Sequence, residues 1–265
     1  MMPVERAATR VWRDGWSEGV RALVPEAPVA LVYDGGTEAV MMATPCDLED
    51  FAIGFSFNER IVLSPDELGE IELRTLDAGI EIRMSLSGDR RARVVERRRL
   101  RAGPAGCGLC GIESLGAALP ALPRVGAGVQ VRPSDIVLAM REIAAQQPVN
   151  RLTASMHAAA LFVPGEGLVA VREDVGRHNA LDKLQGALLR GGRRASDGVI
   201  LMTSRVSVEL VQKAVVMGAS VLAAISAPTG LAVSEASRAG LTLACVVRDD
   251  GFEVFCGAER FSDAA

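Results

Sequence analysis

The second half of the sequence alternates short apolar runs with segments of helical periodicity. This alternation restricts the possible folds more than any other feature. Strands that alternate with helices of ~10 residues predict a central sheet with helices packed on its faces. The predicted strands are Ala158–Val163, Leu168–Val171, Val199–Met202, Val221–Ile225, Leu241–Val247 and Phe252–Phe255. The predicted helices are Asp135–Gln147 (capped by Ser134), Asn179–Leu189, Val206–Gly218 and Leu231–Ala239.

The first half is richer in strands. Two β-hairpins are predicted, because two pairs of apolar runs meet at the glycine-containing turns Asp34–Gly36 and Asp77–Gly79. A helix over Asp47–Arg60, with Asp47 as its N-cap, is predicted between the hairpins. The predicted strands are Val29–Tyr33, Thr37–Ala43, Ile71–Leu76, Ile80–Leu86 and Ala92–Glu96.

These elements predict an α/β protein, α+β overall, with two domains. Residues 1–27 are polar and lack a clear period, so we expect an N-terminal arm there. Residues 28–125 form the smaller, β-rich domain, and residues 130–265 form the α/β domain. Gly116–Pro133 is rich in glycine and proline and is interpreted as the connection between them.

Composition excludes several classes of protein. A net charge of -4 argues against a general nucleic-acid binder, and 4% aromatic residues leave few platforms for stacked bases. No apolar run reaches the ~18 residues of a membrane span, and no apolar stretch follows the first charges as in a secretory signal. Five cysteines without an export signal indicate a reducing compartment. We therefore expect a cytoplasmic protein that binds neither nucleic acid nor membrane.

Two of the cysteines, Cys107 and Cys110, form a Cys-x-x-Cys motif within a glycine-rich segment. Such a pair suits metal binding, redox chemistry or sulfur handling, and these alternatives stay open at this point. Structural zinc needs four ligands. No second paired Cys or His element follows the motif, so no metal site is expected. Cys46, Cys245 and Cys256 lie in apolar surroundings and are interpreted as small buried hydrophobic residues.

The surroundings of the motif suggest how its thiols would act. Glycine and proline between Arg101 and Gly111 predict an exposed, mobile loop, which suits a thiol that visits two proteins. Seven arginines lie between Arg90 and Arg101. They are either a solvated face or a group of cations that favours the Cys107 thiolate and attracts an anionic cofactor or acidic partner.

A second candidate site lies where predicted strands lead into helices. Arg172–Lys183 is dense in charged and polar residues, and Thr203–Arg205 and Ser226–Gly230 occupy two similar positions. Loops at the carboxyl ends of strands line ligand crevices, and helix N-termini bind anions. These loops therefore predict a site for a phosphate-bearing nucleotide. The alternative is an internal cluster in which Asn179 caps a helix and the arginines are neutralised by Glu173, Asp174 and Asp182.

Several of these segments together are similar to one known family. In order and spacing, the sequence resembles the FdhD family of formate dehydrogenase accessory sulfurtransferases over roughly residues 28 to 260. Thr203–Arg205 departs from the family, which often has a glycine before the arginine. The segments that carry the resemblance are Pro45–Phe55, Cys107–Gly111, Arg172–Lys183, Arg205–Lys213 and Ser226–Thr229.

The resemblance implies a function. Such proteins take persulfide sulfur from a cysteine desulfurase and pass it to the molybdenum of the bis(molybdopterin guanine dinucleotide) cofactor of formate dehydrogenase. It implies Cys107 as the persulfide carrier and catalytic residue, Cys110 as the second thiol, and a homodimer. It also implies that the α/β domain is an αβα unit similar to cytidine deaminases.

The same resemblance implies a site for the guanine dinucleotide, which a guanine nucleotide would partly mimic. Its residues come from the strand-end loops and from the loop after the late strand. They are Arg172, Arg177, His178, Asn179, Ser204, Arg205, Ser226, Thr229, Val246, Val247, Arg248, Asp249, Asp250 and Gly251.

Two other functions are compared with the sequence: a cofactor-binding chaperone and a zinc nucleobase deaminase. A chaperone that holds the cofactor without moving sulfur remains the alternative, and exchange of Cys107 discriminates between the two. A zinc nucleobase deaminase needs His-x-Glu and a later Pro-Cys-x-x-Cys. Neither His157 nor His178 is followed by this pattern, and the Cys-x-x-Cys precedes both, so deamination is rejected.

Overall fold

The N-terminal segment forms a β-hairpin. In the computed structural model, which describes residues 4–87, 90 and 119–262, β1 (Glu5–Trp12) pairs antiparallel with β2 (Trp16–Leu23). The arm expected at residues 1–27 therefore contains strands that the sequence analysis missed. No residue of either strand is buried, so neither carries the clear apolar alternation that a half-buried strand shows.

A four-stranded sheet follows, and both hairpins predicted for this region are confirmed. It consists of β3 (Ala27–Tyr33), β4 (Gly36–Ala43), β5 (Leu68–Leu76) and β6 (Gly79–Leu86) in the order β4-β3-β6-β5. Strands β3 and β6 are parallel, and the other two pairs are antiparallel.

Helix α1 (Leu48–Asn58) covers one face of this sheet. Its Phe51 and Phe55 pack with Leu31 and Ile82 in one apolar core. Asp47 occupies the N-cap position with a left-handed backbone, but its side chain makes no capping hydrogen bond. The predicted helix is therefore confirmed, whereas its predicted side-chain cap is wrong.

The second half of the chain forms a six-stranded mixed sheet. Its central strands β9, β10 and β11 are parallel, whereas β7 and β12 run antiparallel to their neighbours. The strand order is β12-β11-β10-β9-β7-β8. The strands are β7 (His157–Val163), β8 (Gly167–Asp174), β9 (Val199–Met202), β10 (Val221–Ala224), β11 (Thr242–Arg248) and β12 (Gly251–Cys256).

Helices cover both faces of this sheet. The long apolar helix α2 packs on one face, while α4, α5 and α6 pack on the other. This arrangement confirms the predicted central sheet and the mixed α/β class. The likeness to cytidine deaminases and the division into two domains stay predictions. The helices are α2 (Pro133–Ala145), α3 (Pro148–Thr153), α4 (Arg177–Arg190), α5 (Val208–Val216) and α6 (Gly230–Ala239).

The helices differ from the sequence analysis in an N-terminal boundary and in one additional helix. Helix α2 begins at Pro133 with Arg132 as its N-cap, so the predicted cap at Ser134 is wrong. Proline is common at the first helical position, because its ring fixes a helical φ and a backbone N–H at this position would make no hydrogen bond within the helix. The short helix α3 was not predicted. Within the described ranges, no helix combines the length and apolarity needed to cross a membrane.

Candidate functional site

The loops predicted to bind a ligand all lie at one edge of the six-stranded sheet. Parallel strands β9, β10 and β11 end side by side. Strand β7 begins at the same edge, where His157 lies opposite Asp174 at the end of β8 and Ala159 lies opposite Met202 of β9. We call this edge the carboxyl edge. Helices α4, α5 and α6 all begin there, so their N-terminal N–H groups supply partial positive charge.

The loop after β8 is held by a buried carboxylate. One oxygen of Asp174 accepts hydrogen bonds from the backbone N–H of Gly176 at 2.7 Å and from Asn179 Nδ2 at 3.0 Å. The other oxygen pairs with Lys183 Nζ at 2.7 Å, and both side chains are fully buried. The N-cap of α4 is Gly176, so the reading of Asn179 as the cap is wrong. Asn179 Nδ2 also donates to the carbonyl of Met42.

The predicted ligand residue Arg172 makes an ion pair across the molecule. Its Nε lies 2.8 Å from the Asp50 carboxylate of α1, 122 positions away in the sequence. Arg190 binds the other oxygen of Asp50, also at 2.8 Å. The guanidinium of Arg172 therefore joins α1 to the six-stranded sheet.

The three carboxylates of the Arg172–Lys183 segment are all used inside the protein, but not by arginines. Glu173 accepts hydrogen bonds from two backbone N–H groups at the start of α3. Asp182 pairs with Lys213 Nζ at 2.8 Å. Asp174 pairs with Lys183, as described above. The alternative of an internal cluster is therefore correct for the carboxylates but not for their partners, because among the described residues lysines and backbone groups, not arginines, bind them.

Arg177 and His178, at the first turn of α4, remain near the carboxyl edge. Both are half-buried, and the Nε of Arg177 has no hydrogen-bond partner among the described residues. His178 Nε2 lies 3.4 Å from Ser207 Oγ and 3.9 Å from Glu209 Oε2. Burial, aided by the cations of Arg177 and Lys213, lowers the pKa of His178 to about 4. The ring is therefore neutral at neutral pH, and Arg177 supplies the positive charge beside it.

The loop after β9 is tied to the neighbouring strands. Thr203 Oγ1 accepts a 2.7 Å hydrogen bond from the N–H of Ala158 in β7. Ser204 is buried and its hydroxyl donates to the carbonyl of Arg205. The Arg205 residue itself is exposed. A fixed backbone thus presents a guanidinium at the surface of the carboxyl edge.

The loop after β10 is joined to that of β9. The N–H of Val206 donates to the carbonyl of Ala227, and the N–H of Thr229 donates back to the carbonyl of Val206. Thr229 also caps α6, since its side chain accepts from the N–H of Ala232. Ser226 in the same loop accepts a long hydrogen bond from the N–H of Val246. Hydrogen bonds therefore join the loops after β9 and β10 to each other and to the end of β11.

The predicted site segment Val246–Gly251 begins inside β11, so its first three residues belong to the strand, and it carries a strained residue. Val246 has a φ of 58°, a conformation that β-branched residues rarely adopt. Such strain persists only where the surroundings impose it, and it concentrates at functional sites. Arg248 donates to the carbonyls of Ile225 and Val247, and Asp249 pairs with Arg141 of α2 at 2.6 Å. Asp250 and Gly251 complete the turn into β12.

The cysteines separate into two groups. Cys107 and Cys110, with the arginines from Arg91 to Arg101 and the predicted strand Ala92–Glu96, lie outside the described residues. Arg90 is described: it is buried and pairs with Glu67 at 3.0 Å. Burial raises the pKa of the Cys46 thiol to about 11, although the ammonium of Lys183 opposes this, and burial raises the pKa of Cys245 to about 12. Both are therefore protonated at neutral pH. Cys245 is buried as predicted, whereas Cys46 and Cys256 are only half-buried, so the prediction of burial is wrong for these two. Among the described residues, no group of three or more His, Cys, Asp or Glu side chains could hold a metal.

Comparison with solved structures defines the class of fold. The chain is similar to the crystal structure of a candidate formate dehydrogenase accessory protein from Desulfotalea psychrophila, with a TM-score of 0.76 and 24% sequence identity. The likeness covers 98% of this chain and 99% of that one. The two proteins therefore share one fold.

Sequence comparison then gives the family. Residues 24–262 match the model of the FdhD/NarQ family. A sulfur carrier protein FdhD from Agrobacterium fabrum is 46% identical over 98% of both chains. Another, from Brucella abortus, is 51% identical over 92% of this chain and 91% of its own. The chain belongs to the FdhD/NarQ family.

Proposed function

We propose that this protein is a sulfur carrier and sulfurtransferase that matures formate dehydrogenase. The observation that carries the proposal is the near-full-length similarity to proteins named sulfur carrier protein FdhD. The Cys107-x-x-Cys110 motif supplies the thiols that such a function needs. Within this function, Cys107 carries the sulfur as a persulfide.

The first chemical step is a thiol–persulfide exchange with a cysteine desulfurase. The Cys107 thiolate attacks the terminal sulfur of the donor's persulfide. A new S–S bond forms on Cys107, the donor's S–S bond breaks, and the donor leaves as a thiolate. No electrons are gained or lost in this exchange. The arginines that precede the motif in the sequence, from Arg91 to Arg101, favour the thiolate that must attack.

The second step delivers the sulfur to the molybdenum of the bis(molybdopterin guanine dinucleotide), which is the substrate. The terminal sulfur leaves Cys107 as a neutral atom, and Cys107 returns to the thiolate. Molybdenum in its tetravalent state supplies the two electrons of the new metal–sulfur bond and becomes hexavalent. Cys110 supplies the second thiol of the motif.

The carboxyl edge is the proposed binding site for the dinucleotide. The buried Nε of Arg177 has no partner in the part of the chain that the structure describes, Arg205 is exposed, and three helices begin at the same edge. Phosphate groups bind well to guanidinium groups and to helix N-termini. Arg172 and Asn179 support the site from inside, since their donors are engaged with Asp50, Asp174 and Met42.

The proposal includes partners and a location. The partners are a cysteine desulfurase, formate dehydrogenase and a second copy of this chain in a homodimer. A reducing cytoplasm suits the chemistry, since Cys107 must return to a free thiolate in each cycle.

Replacement of the carrier thiol tests the proposed function. Cys107→Ala is produced in cells that lack the native chain, and the activity of their formate dehydrogenase is measured. We expect the activity to be lost, while Cys256→Ala, a half-buried cysteine in β12, retains it. Full activity with Cys107→Ala at equal protein levels would instead indicate a chaperone that binds the cofactor without moving sulfur.

A further inference from the structure

Thr44 lies in the turn between β4 and α1, and its polar groups make hydrogen bonds to the segment that leads into α4 and to α4 itself. Its Oγ1 accepts a 3.1 Å hydrogen bond from the N–H of Val175, and its N–H donates to Asp174 Oδ2 at 3.0 Å. Its carbonyl accepts from Lys183 Nζ at 3.0 Å. Thr44 is fully buried and lies 130 positions from Asp174 in the sequence. A residue that directly follows the four-stranded sheet therefore binds the end of β8 and the loop after it in the six-stranded sheet.

Thr44 belongs to a group of buried polar residues, which we call the buried polar cluster: Thr44, Asp174, Asn179 and Lys183. The Asp174 and Lys183 charges cancel at 2.7 Å, and both side chains are fully buried. Asn179 joins Asp174 to the carbonyl of Met42 in β4. A fully paired buried network rigidifies its surroundings, because each partner would be costly to leave unpaired.

We infer that Thr44 is a positioning residue for the anion site at Arg177 and the start of α4. The inference rests on the proposed function. Val175 and Gly176 are the two residues between Asp174 and Arg177, and the cluster fixes both of their N–H groups. The hydroxyl of Thr44 therefore determines where α4 begins and where its first side chains lie relative to the carboxyl edge.

Loss of the hydroxyl has a specific consequence. Without Oγ1, the N–H of Val175 has no partner in a part-buried position. The turn then gains other conformations, and an anion must select the competent one. The apparent affinity for the anion is then the intrinsic affinity multiplied by the fraction of molecules whose turn has the binding-competent conformation. The charge of Arg177 is unchanged.

Two substitutions at the same position test this inference. Thr44→Val removes the hydroxyl at nearly constant volume, and Thr44→Ser keeps it. A matched control is Thr242→Val. Thr242 is a buried threonine at the start of β11, on the opposite edge of the sheet, and its Oγ1 donates to the carbonyl of Gly257. GDP binding is measured by calorimetry well below the melting temperature of each variant, and exchange of the Val175 amide hydrogen is followed by mass spectrometry.

We expect Thr44→Val to bind GDP roughly tenfold more weakly, which corresponds to about 1.4 kcal/mol of lost affinity. The Val175 amide hydrogen should also exchange faster in this variant. Thr44→Ser and Thr242→Val should bind as the wild type does. Equal GDP affinity of Thr44→Val and the wild type would overturn this inference but not the proposed nucleotide site. Equal weakening in Thr242→Val would also overturn it, by showing a general effect of stability. Absence of GDP binding to the wild type would overturn both this inference and the proposed nucleotide site.

Discussion

Gly54 of α1 lies directly against the backbone of Asp182 in α4. A Cβ atom at Gly54 would be 1.7 Å from the carbonyl oxygen of Asp182. The contact is reciprocal, because a Cβ at Gly186 of α4 would be 1.9 Å from the carbonyl oxygen of Asp50 in α1. The two helices therefore cross with their backbones in contact, and α1 joins the four-stranded sheet to the α/β layers at this crossing.

Replacement of Gly54 by alanine should separate the two helices. Since the obstructing atoms are backbone, they cannot move aside as a side chain would. We expect Gly54→Ala to lower the free energy of unfolding by at least ~3 kcal/mol, the upper range for overpacking. Urea denaturation measures this. The control is Gly230→Ala at the first position of α6, where an added Cβ meets nothing within 4 Å. A loss below ~1 kcal/mol in Gly54→Ala would show that the helices do not cross as described.

The ion pair of Lys213 with Asp182 should be essential for stability. Burial alone would lower the pKa of Lys213, but the carboxylates of Asp182 and Glu59 raise it, so the ammonium stays charged. Lys213→Met leaves the Asp182 carboxylate buried without its cation, and we expect a loss of about 3–5 kcal/mol in the free energy of unfolding. Its control is Arg193→Ala, which removes an exposed pair with Glu166 and should cost less than ~1 kcal/mol. Similar losses in both variants would contradict the buried pairing.

His178 should make stability depend on pH. Its pKa is lowered from 6.5 to about 4 in the folded protein, so the unfolded chain binds a proton first as the pH falls. Stability is therefore full above pH ~6.5 and falls between pH ~6.5 and ~4, by at most on the order of 3 kcal/mol. We expect His178→Gln to flatten this part of the profile in urea unfolding measured at successive pH values. An unchanged slope in His178→Gln would show that other groups cause it.

Arg205 should contribute directly to nucleotide affinity. A charge-assisted hydrogen bond to a phosphate contributes about 1.5–3 kcal/mol, so Arg205→Ala should bind GDP at least roughly tenfold more weakly in calorimetry. Arg193→Ala removes the same charge near the turn between β7 and β8, at the opposite edge of the sheet, and should leave affinity unchanged. Equal affinities for Arg205→Ala, His178→Ala and the wild type would show that the nucleotide site is misplaced.

Local sequence signals predicted most of the fold. The turn Asp34–Gly36 and the alternation along Ile80–Leu86 identified hairpins, since turn chemistry and period are local properties. The N-terminal hairpin was missed because no residue of β1 or β2 is buried. The α2 boundary was displaced because Pro133 was not recognised as the first helical residue.

The functions of individual polar residues were harder to predict. Asp182 and Lys183 are adjacent in the sequence, yet they enter separate ion pairs because successive helical residues point in different directions. Thr44 was not singled out, since nothing local in Thr44-Pro45-Cys46 indicates a contact 130 positions away. Dense polar sequence at a strand end predicted an important loop. It could not separate residues that hold the loop from residues that face a ligand.

The most direct test of sulfur transfer is the mass of the Cys107 peptide. The purified protein is incubated with a cysteine desulfurase and cysteine, then digested without reductant and analysed by mass spectrometry. We expect the peptide with Cys107 to gain the mass of one sulfur atom and the Cys245 peptide to stay unmodified. Cys107→Ala should abolish the gain. An unmodified Cys107 peptide, with a persulfide on the desulfurase, would contradict the assignment of Cys107 as the sulfur carrier.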